Sequence, residues 1–170
     1  MIILGIDPGL ANTGWGFVEV EGNRFHCLGY GCVTTSSAEE LASRLKAIHD
    51  KLELLIGLHG PAEAALENIY FSNNARTAMA TGQARGAALV AIADAGLTGA
   101  EYGPGEINVA VSGGRPAGKR QVTYMVRALL GLATDPKPDH AADALAVAIC
   151  HANSRVARAR ERAHQAGARP

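Results

Sequence analysis

Met1–Ile6 is an unbroken apolar run, MIILGI, that stops at Asp7-Pro8-Gly9. A run that never alternates with polar residues reads as a strand buried on both faces, and Pro8-Gly9 turns the chain away directly after Asp7. Thr13 to Val20 reads as a second strand whose Gly14 and Gly16 let backbone or a ligand come close. Arg24 to Thr35 reads as a third, antiparallel to the second through Glu21-Gly22-Asn23. From Ser37 the period becomes helical. Leu41, Leu45, Ile48, Leu52 and Leu55 form one stripe, Ser37-x-x-Glu40 has the form of a capping box, and Gly57 or Gly60 with Pro61 ends the helix. Ala62 to Leu66, small residues entering Glu67, is expected to be a strand at the sheet centre with helices on both faces.

Asn73-Asn74 is expected to cap an alanine-rich helix that runs to about Asp94 and ends at Gly96. Its Gly82 and Gly86, four apart, imply close packing against a helix or the sheet, and Val90 and Ile92 a buried end. Thr98 to Tyr102 predicts a fifth strand, and Pro104 opens a short helix. Residues 112–118 read as a flexible glycine loop leading into a helix over Lys119–Leu130 that packs through Val122, Met125, Val126 and Leu129. That loop lacks the Gly-Lys-Ser/Thr ending of a phosphate-binding loop, though the helix start suits a DNA phosphate. A last helix begins at Pro138-Asp139. Strands and helices in this order place the chain in the α/β class.

A length of 170 residues with 48% hydrophobic content supports one core without disulfides or structural metal. The reading is one domain over residues 1–153 and a basic, flexible tail over 154–170. Cys27, Cys32 and Cys150 lack metal-ligand spacing, and an odd number implies reduced thiols. The opening apolar run is too short for a membrane span or signal peptide, so a cytoplasmic protein is expected. Net charge is zero, which taken alone speaks against a nucleic-acid binder. Its distribution changes that picture. Residues 1–85 carry 6 Lys/Arg against 9 Asp/Glu, and residues 86–170 carry 10 against 7. Arg115, Lys119, Arg120 and Arg127 fall together with no acid among them, so a neutral chain can still present a basic face to phosphate. The arginines of the tail read as a solvated face.

Two carboxylates stand where strands end. Asp7 follows a core strand, and burying its charge is costly unless a cation or several donors meet it; an Asx-turn onto Gly9 is the bland alternative. Glu67 follows Ala64-Ala65-Leu66 and has little room to leave the core. On the last helix His140 and Asp143, three apart, share one face, with Leu145 and Ile149 nearly opposite. Asp139 reads as the N-cap, and His49, His59 and His151 as surface or structural residues. Asp7, Glu67, Asp143 and His140 together offer three hard oxygens and one imidazole, a set suited to Mg²⁺ or Mn²⁺ rather than thiolate-bound Zn²⁺.

In order along the chain, Ile3-Leu4-Gly5-Ile6-Asp7-Pro8-Gly9, Gly14-x-Gly16, Leu66-Glu67, Gly82-Gln83-Ala84-Arg85-Gly86, Lys119-x-Gln121-Val122 and His140-Ala141-Ala142-Asp143-Ala144-Leu145-Ala146 strongly resemble the RuvC family of Holliday-junction resolvases. The resemblance reaches to about residue 152. It implies a ribonuclease H-like mixed sheet of about five strands flanked by helices. It implies a homodimeric, metal-dependent endodeoxyribonuclease that resolves four-way DNA junctions by symmetric cuts in recombination and DNA repair, in partnership with the RuvA-RuvB branch-migration complex. Asp7, Glu67, His140 and Asp143 match the catalytic and metal positions, holding two Mg²⁺ ions with Mn²⁺ as a substitute. Some family members have Asp at the place of His140, so its role as ligand or as proton donor stays open. Tyr70 matches an aromatic that stacks on a base, and Arg76, Arg115, Lys119 and Arg120 are the expected DNA contacts. A second family lysine is replaced by Asn108. Two other classes compete: an actin-like or sugar-kinase fold, which shares the opening motif but needs two such domains, and a catalytically silent junction-binding module, against which the complete acidic set argues.

Overall fold

A computed structural model describes residues 1–68 and 75–167 of the backbone, and the side chains of 1–68 and 77–155. Five strands, β1 (Ile2–Asp7), β2 (Asn12–Glu21), β3 (Arg24–Thr34), β4 (Glu63–Glu67) and β5 (Thr98–Tyr102), form one sheet in the order β3-β2-β1-β4-β5. The first three strands are antiparallel neighbours, joined at β2–β3 by a two-residue turn in which Gly22 takes φ 60. β4 runs parallel to β1, and β5 parallel to β4, so the sheet is mixed. β4 therefore lies inside the sheet but not at its middle, which β1 occupies.

Among the described residues five helices cover the two faces: α1 (Leu41–His59), α2 (Ala75–Asp94), α3 (Pro104–Ser112), α4 (Lys119–Leu129) and α5 (Asp139–Gly167). The unbroken apolar strands are explained by two cores. Ile3, Val18 and Ala65 face α3, α4 and α5, while Leu4, Ile6, Phe17, Ala64 and Leu66 face α1 and α2. β1 and β4 thus bury both of their alternating sets of side chains. α5 lies directly over β1 and β2. A Cβ on Gly5 would collide with the Ala144 carbonyl and one on Gly14 with the His140 carbonyl, and on Gly16 it would come within 2.6 Å of the Leu145 side chain. The motif glycines make room for a helix backbone.

Several local expectations are corrected. No capping box opens α1: the helix starts at Leu41 with Glu40 as N-cap and no side-chain bond, while the Ser36 hydroxyl accepts from the Ala38 N–H. The turn over residues 37–39 separates Ser37 from the first helical turn. In the stripe itself Leu41 is exposed and Ile48, Leu52, Leu55 and Ile56 are buried. Gly82 and Gly86 do not pack closely inside the chain, since a Cβ on either meets nothing within 4 Å, and Val90 is 53% exposed. Asn73 and Asn74 lie outside the described residues. The loop before α4 is tied by hydrogen bonds rather than loose.

Three histidines outside the motifs, His49, His59 and His151, have structural partners. His151 is buried, its Nδ1 2.8 Å from the Tyr102 hydroxyl and its Nε2 2.7 Å from Glu63, joining α5 to β4 and β5. His59 stacks on Phe17 with ring centroids 4.2 Å apart, and His49 bridges Asp50 and Asp94 between α1 and α2. Cys27, Cys32 and Cys150 are free thiols. Among the described residues no helix is long and apolar enough to cross a membrane.

Candidate active site

Parallel neighbours end side by side, and so β1 and β4 deliver Asp7 and Glu67 to the same edge of the sheet. The β1–β2 loop that follows Asp7 is closed by Thr13, whose hydroxyl donates to the Gly9 carbonyl at 2.8 Å. The Asp7 carboxylate is consequently not needed to close it. Instead its Oδ2 lies 2.6 Å from Nδ1 of His140, across to the first turn of α5. This bond depends on the glycine-permitted contact of α5 with β1 and β2. One turn further along, Asp143 comes to the same place, and ligand atoms of Asp7, His140 and Asp143 all lie within 4.8 Å of one another.

Glu67 stands beside this group rather than inside it. Its carboxyl is pushed from an ordinary 4.5 up to about 7 by burial first, then by the charges of Asp7 and Asp143, a hydrogen bond to Asp7 adding to them and Lys119 opposing. Burial likewise pushes Asp143 up, against the downward pull of Lys119. A cluster in which carboxylates raise one another is short of positive charge, because burial penalises each ionised form and like charges penalise it again. This deficit is the structural argument that the site fits a divalent cation: the donors present are hard oxygens and one imidazole, and what they lack is charge.

Lys119 brings one positive charge, which is insufficient by itself. As the first residue of α4 it places Nζ 3.4 Å from Asp143 Oδ2 and 3.6 Å from Asp139 Oδ2. Burial pushes its ammonium down, but the charges of Asp143 and Asp139 outweigh this and hold it above the ordinary 10.5. Asp139 is not the N-cap. It is the first helical residue, with the Pro138 carbonyl accepting from Ala141, and its carboxylate faces Lys137 at 3.4 Å as well as Lys119.

From Asp139 a groove of about 770 Å³ runs along α4, lined by Lys119, Arg120, Tyr124, Arg127 and Lys137 among others. Arg127 sits over the Tyr124 ring, 5.1 Å from its centroid. Arg115 is exposed on the loop that precedes α4. Tyr70 lies outside the described residues, as does the side chain of Arg76, whose backbone belongs to α2. Asn108 does not face the groove with a charge of its own; its carboxamide bonds the backbone of Ala117. Sequence reasoning missed Tyr124 and Lys137. The signal for Tyr124 was helical spacing, since Arg120, Tyr124 and Arg127 recur every three or four residues. Nothing in the sequence could show that Lys137, in the turn before α5, returns to the same groove.

Comparisons with known proteins agree with one another. Residues 3–151 match the family described as Crossover junction endodeoxyribonuclease RuvC. The protein of that name from Heliobacterium modesticaldum is 51% identical over 154 residues, which covers 91% of this chain and 95% of that one. Its counterpart from Pelotomaculum thermopropionicum is 48% identical, covering 90% and 93%. Among solved structures, Thermus thermophilus RuvC in complex with Holliday junction substrate superposes with a TM-score of 0.87 at 37% identity, covering 91% of this chain and 94% of that chain. The yeast mitochondrial Holliday junction resolvase Ydc2 shares the fold alone, at 13% identity and a TM-score of 0.61. A ribonuclease H-like mixed sheet, three strand-borne and helix-borne carboxylates on one edge, and a match that spans nearly the whole chain lead to one conclusion: this chain belongs to the RuvC family of crossover junction endodeoxyribonucleases.

Proposed function

We propose that this protein is a homodimeric endodeoxyribonuclease that resolves four-way DNA junctions by symmetric, Mg²⁺-dependent hydrolysis of two phosphodiesters. The observation that carries the proposal is the meeting of Asp7, Asp143 and His140, with Glu67 alongside, next to a groove lined by Lys119, Arg120, Arg127 and Lys137. Carboxylates that burden one another are unstable without a cation, and a basic groove that leads to them suits a phosphate backbone.

Asp7, Glu67, His140 and Asp143 would hold the ions, two per site, and Mn²⁺ has the same ligand preference. A bound divalent cation supplies charge neutralisation at the phosphate and activates water as the nucleophile. The residues themselves do the rest. His140, with Nδ1 turned to Asp7, keeps Nε2 on the other side of the ring, and this is the atom that can complete a ligand set or carry a proton to the leaving oxygen. Lys119 restrains Asp143 from one side and presents an ammonium toward incoming phosphate. Arg120, Arg127, Lys137 and Arg115 position the DNA backbone without reading bases. Tyr70 keeps its implied role as a base-stacking residue.

The dimer reading is supported by the outer face of α2. Met79, Gly82, Gly86 and Val90 fall on one side of the helix, with Met79 and Val90 68% and 53% exposed and both glycines looking into open space. A second copy of the chain on that face would bury them and set two sites about a two-fold axis, as a four-way junction requires. Recombination and repair in a bacterial cytoplasm, and partnership with the RuvA-RuvB complex, are the setting in which such an activity belongs. The deciding experiment incubates the protein with a labelled four-way junction and a linear duplex of matching sequence, with and without Mg²⁺. Paired nicks are expected in the junction only, and only with the ion. Equal cutting of the duplex, or cutting in excess EDTA, would refute the proposal.

A further inference from the structure

Residues 113–118 connect α3 to α4 and carry three glycines, Gly113, Gly114 and Gly118, of which the first two take φ 78 and 96. Such a segment has much conformational freedom to lose, and its end decides where Lys119 stands. The structure restrains it from both sides. Gly114 N–H donates to the Val109 carbonyl at 2.9 Å. The Ser112 hydroxyl is close to the carbonyls of Asn108, at 2.6 Å, and of Arg115. The strongest restraint is a closed pair: Asn108 Nδ2 donates to the Ala117 carbonyl at 2.7 Å, while the Ala117 N–H donates to Asn108 Oδ1 at 2.7 Å. The backbone dictates which end of the carboxamide is which, because an N–H must meet the oxygen and a carbonyl must meet the nitrogen. Two residues beyond Ala117 is Lys119, with Nζ 3.4 Å from Asp143. Asn108, Lys119, Asp143 and Glu67 border one cavity of about 270 Å³ beside the carboxylates.

We propose that Asn108 is a positioning residue for the cleavage reaction, acting through Lys119. Its carboxamide stands in for a strand neighbour, fixing the backbone of Ala117 so that α4 begins with Lys119 held against Asp143. The inference rests on the resolvase reading, since it assigns a role to a cation of that site. It explains why an uncharged side chain serves at this place: an amide offers a donor and an acceptor in one plane, and an ammonium offers donors only. No ammonium at residue 108 can accept from the Ala117 N–H.

The test uses Asn108→Leu, which keeps the branched shape and removes both bonds, with Asn108→Ala as a second variant. Saturating single-turnover cleavage of the four-way junction should fall by roughly 10-fold to 100-fold, the loss expected when a partner that orients a site group is removed. The double variant Asn108→Leu/Lys119→Ala should be no slower than Lys119→Ala alone, because the two residues act as a unit. Hydrogen exchange read without metal or DNA supplies a second measurement. The Ala117 amide should exchange at least about tenfold faster in Asn108→Leu, while amides of α5 near Leu145 keep their protection. Losses that multiply in the double variant, full activity in both single variants, or exchange that accelerates equally in α5 would each overturn the proposal. A parent protein that leaves the junction uncut refutes the resolvase reading instead, and the exchange experiment still reports on the clamp.

Discussion

Replacing Glu67 by Gln should stabilise the metal-free protein while destroying its activity. In the unfolded chain this carboxyl ionises near 4.5, and in the folded site it holds its proton to about 7, through burial and the charges of Asp7 and Asp143. Below pH 4.5 it is neutral in both states and contributes nothing. Between 4.5 and 7 the folded state binds the proton more tightly, so stability falls as pH rises, and above 7 the whole penalty remains. The gap of about 2.5 pH units corresponds to at most about 3.5 kcal/mol at roughly 1.4 kcal/mol per unit; partial exposure and coupling to its neighbours reduce this to about 2–3. Glu67→Gln removes that penalty, so in EDTA at pH 8 its melting temperature should exceed the parent's by about 5–10 °C. At pH 4.5 the two curves should meet. Adding Mg²⁺ at pH 8 should raise the parent's melting temperature more than the variant's, because the ion supplies the charge that the cluster lacks. Identical melting of the two proteins across pH 4.5–8 in EDTA would show that the carboxylates do not burden one another, and the structural argument for a cation would fail with it.

Asp7→Asn is expected to abolish junction cleavage and spare junction binding, since it removes a central ligand while lessening repulsion of phosphate; gel titration in Ca²⁺ and cleavage in Mg²⁺ check the two halves. His140→Asp should retain cleavage where His140→Ala loses far more, if a carboxylate can take the ligand's place. Should the Asp variant prove as inactive as the Ala variant, imidazole serves as the acid rather than as a replaceable ligand. Lys119→Ala and Arg127→Ala should each flatten the plot of log binding constant against log salt by roughly 0.9 for every phosphate left without its cation; an unchanged slope removes that residue from the groove's DNA-binding set. A Cβ on Gly82 meets nothing within 4 Å inside one chain, so Gly82→Leu should leave folding intact while weakening self-association in sedimentation, and an unaltered dimer would move the interface elsewhere.

Much of this molecule was legible because its signals are local. The non-alternating run before Asp7 could only be a strand covered on both faces, and the two cores on either side of Ile3 and Leu4 bear this out. The short strand Thr98–Tyr102, the Pro104 helix start and the Gly96 helix stop each follow from the steric limits of one or two residues. Local rules failed where two of them competed. Ser37 and Glu40 had the spacing of a capping box, but an intervening turn placed the helix start at Leu41. Gly82 and Gly86 promised close packing and instead line an open face, because a stripe of small residues looks the same whether its partner belongs to the chain or to another copy.

By itself the sequence determined the elements, the α/β class, the family resemblance and the residue types that a metal-dependent nuclease needs. Periodicity, turn chemistry and the order of the motifs are properties of neighbours along the chain, and no folding is needed to read them. Only the tertiary structure decided how those residues meet. Parallel pairing of β1 with β4 brings Asp7 beside Glu67, sixty residues later, and the absence of side chains at Gly5 and Gly14 lets α5 descend until His140 touches Asp7. Crowding then produces a proton affinity at Glu67 that no isolated glutamate has. The same holds for Asn108, read from sequence as a lost cation and found clamping the loop that aims Lys119. Charge, hydrogen bonding and desolvation act through distances of a few ångströms, and those distances are set by the packing of segments that lie far apart in the chain.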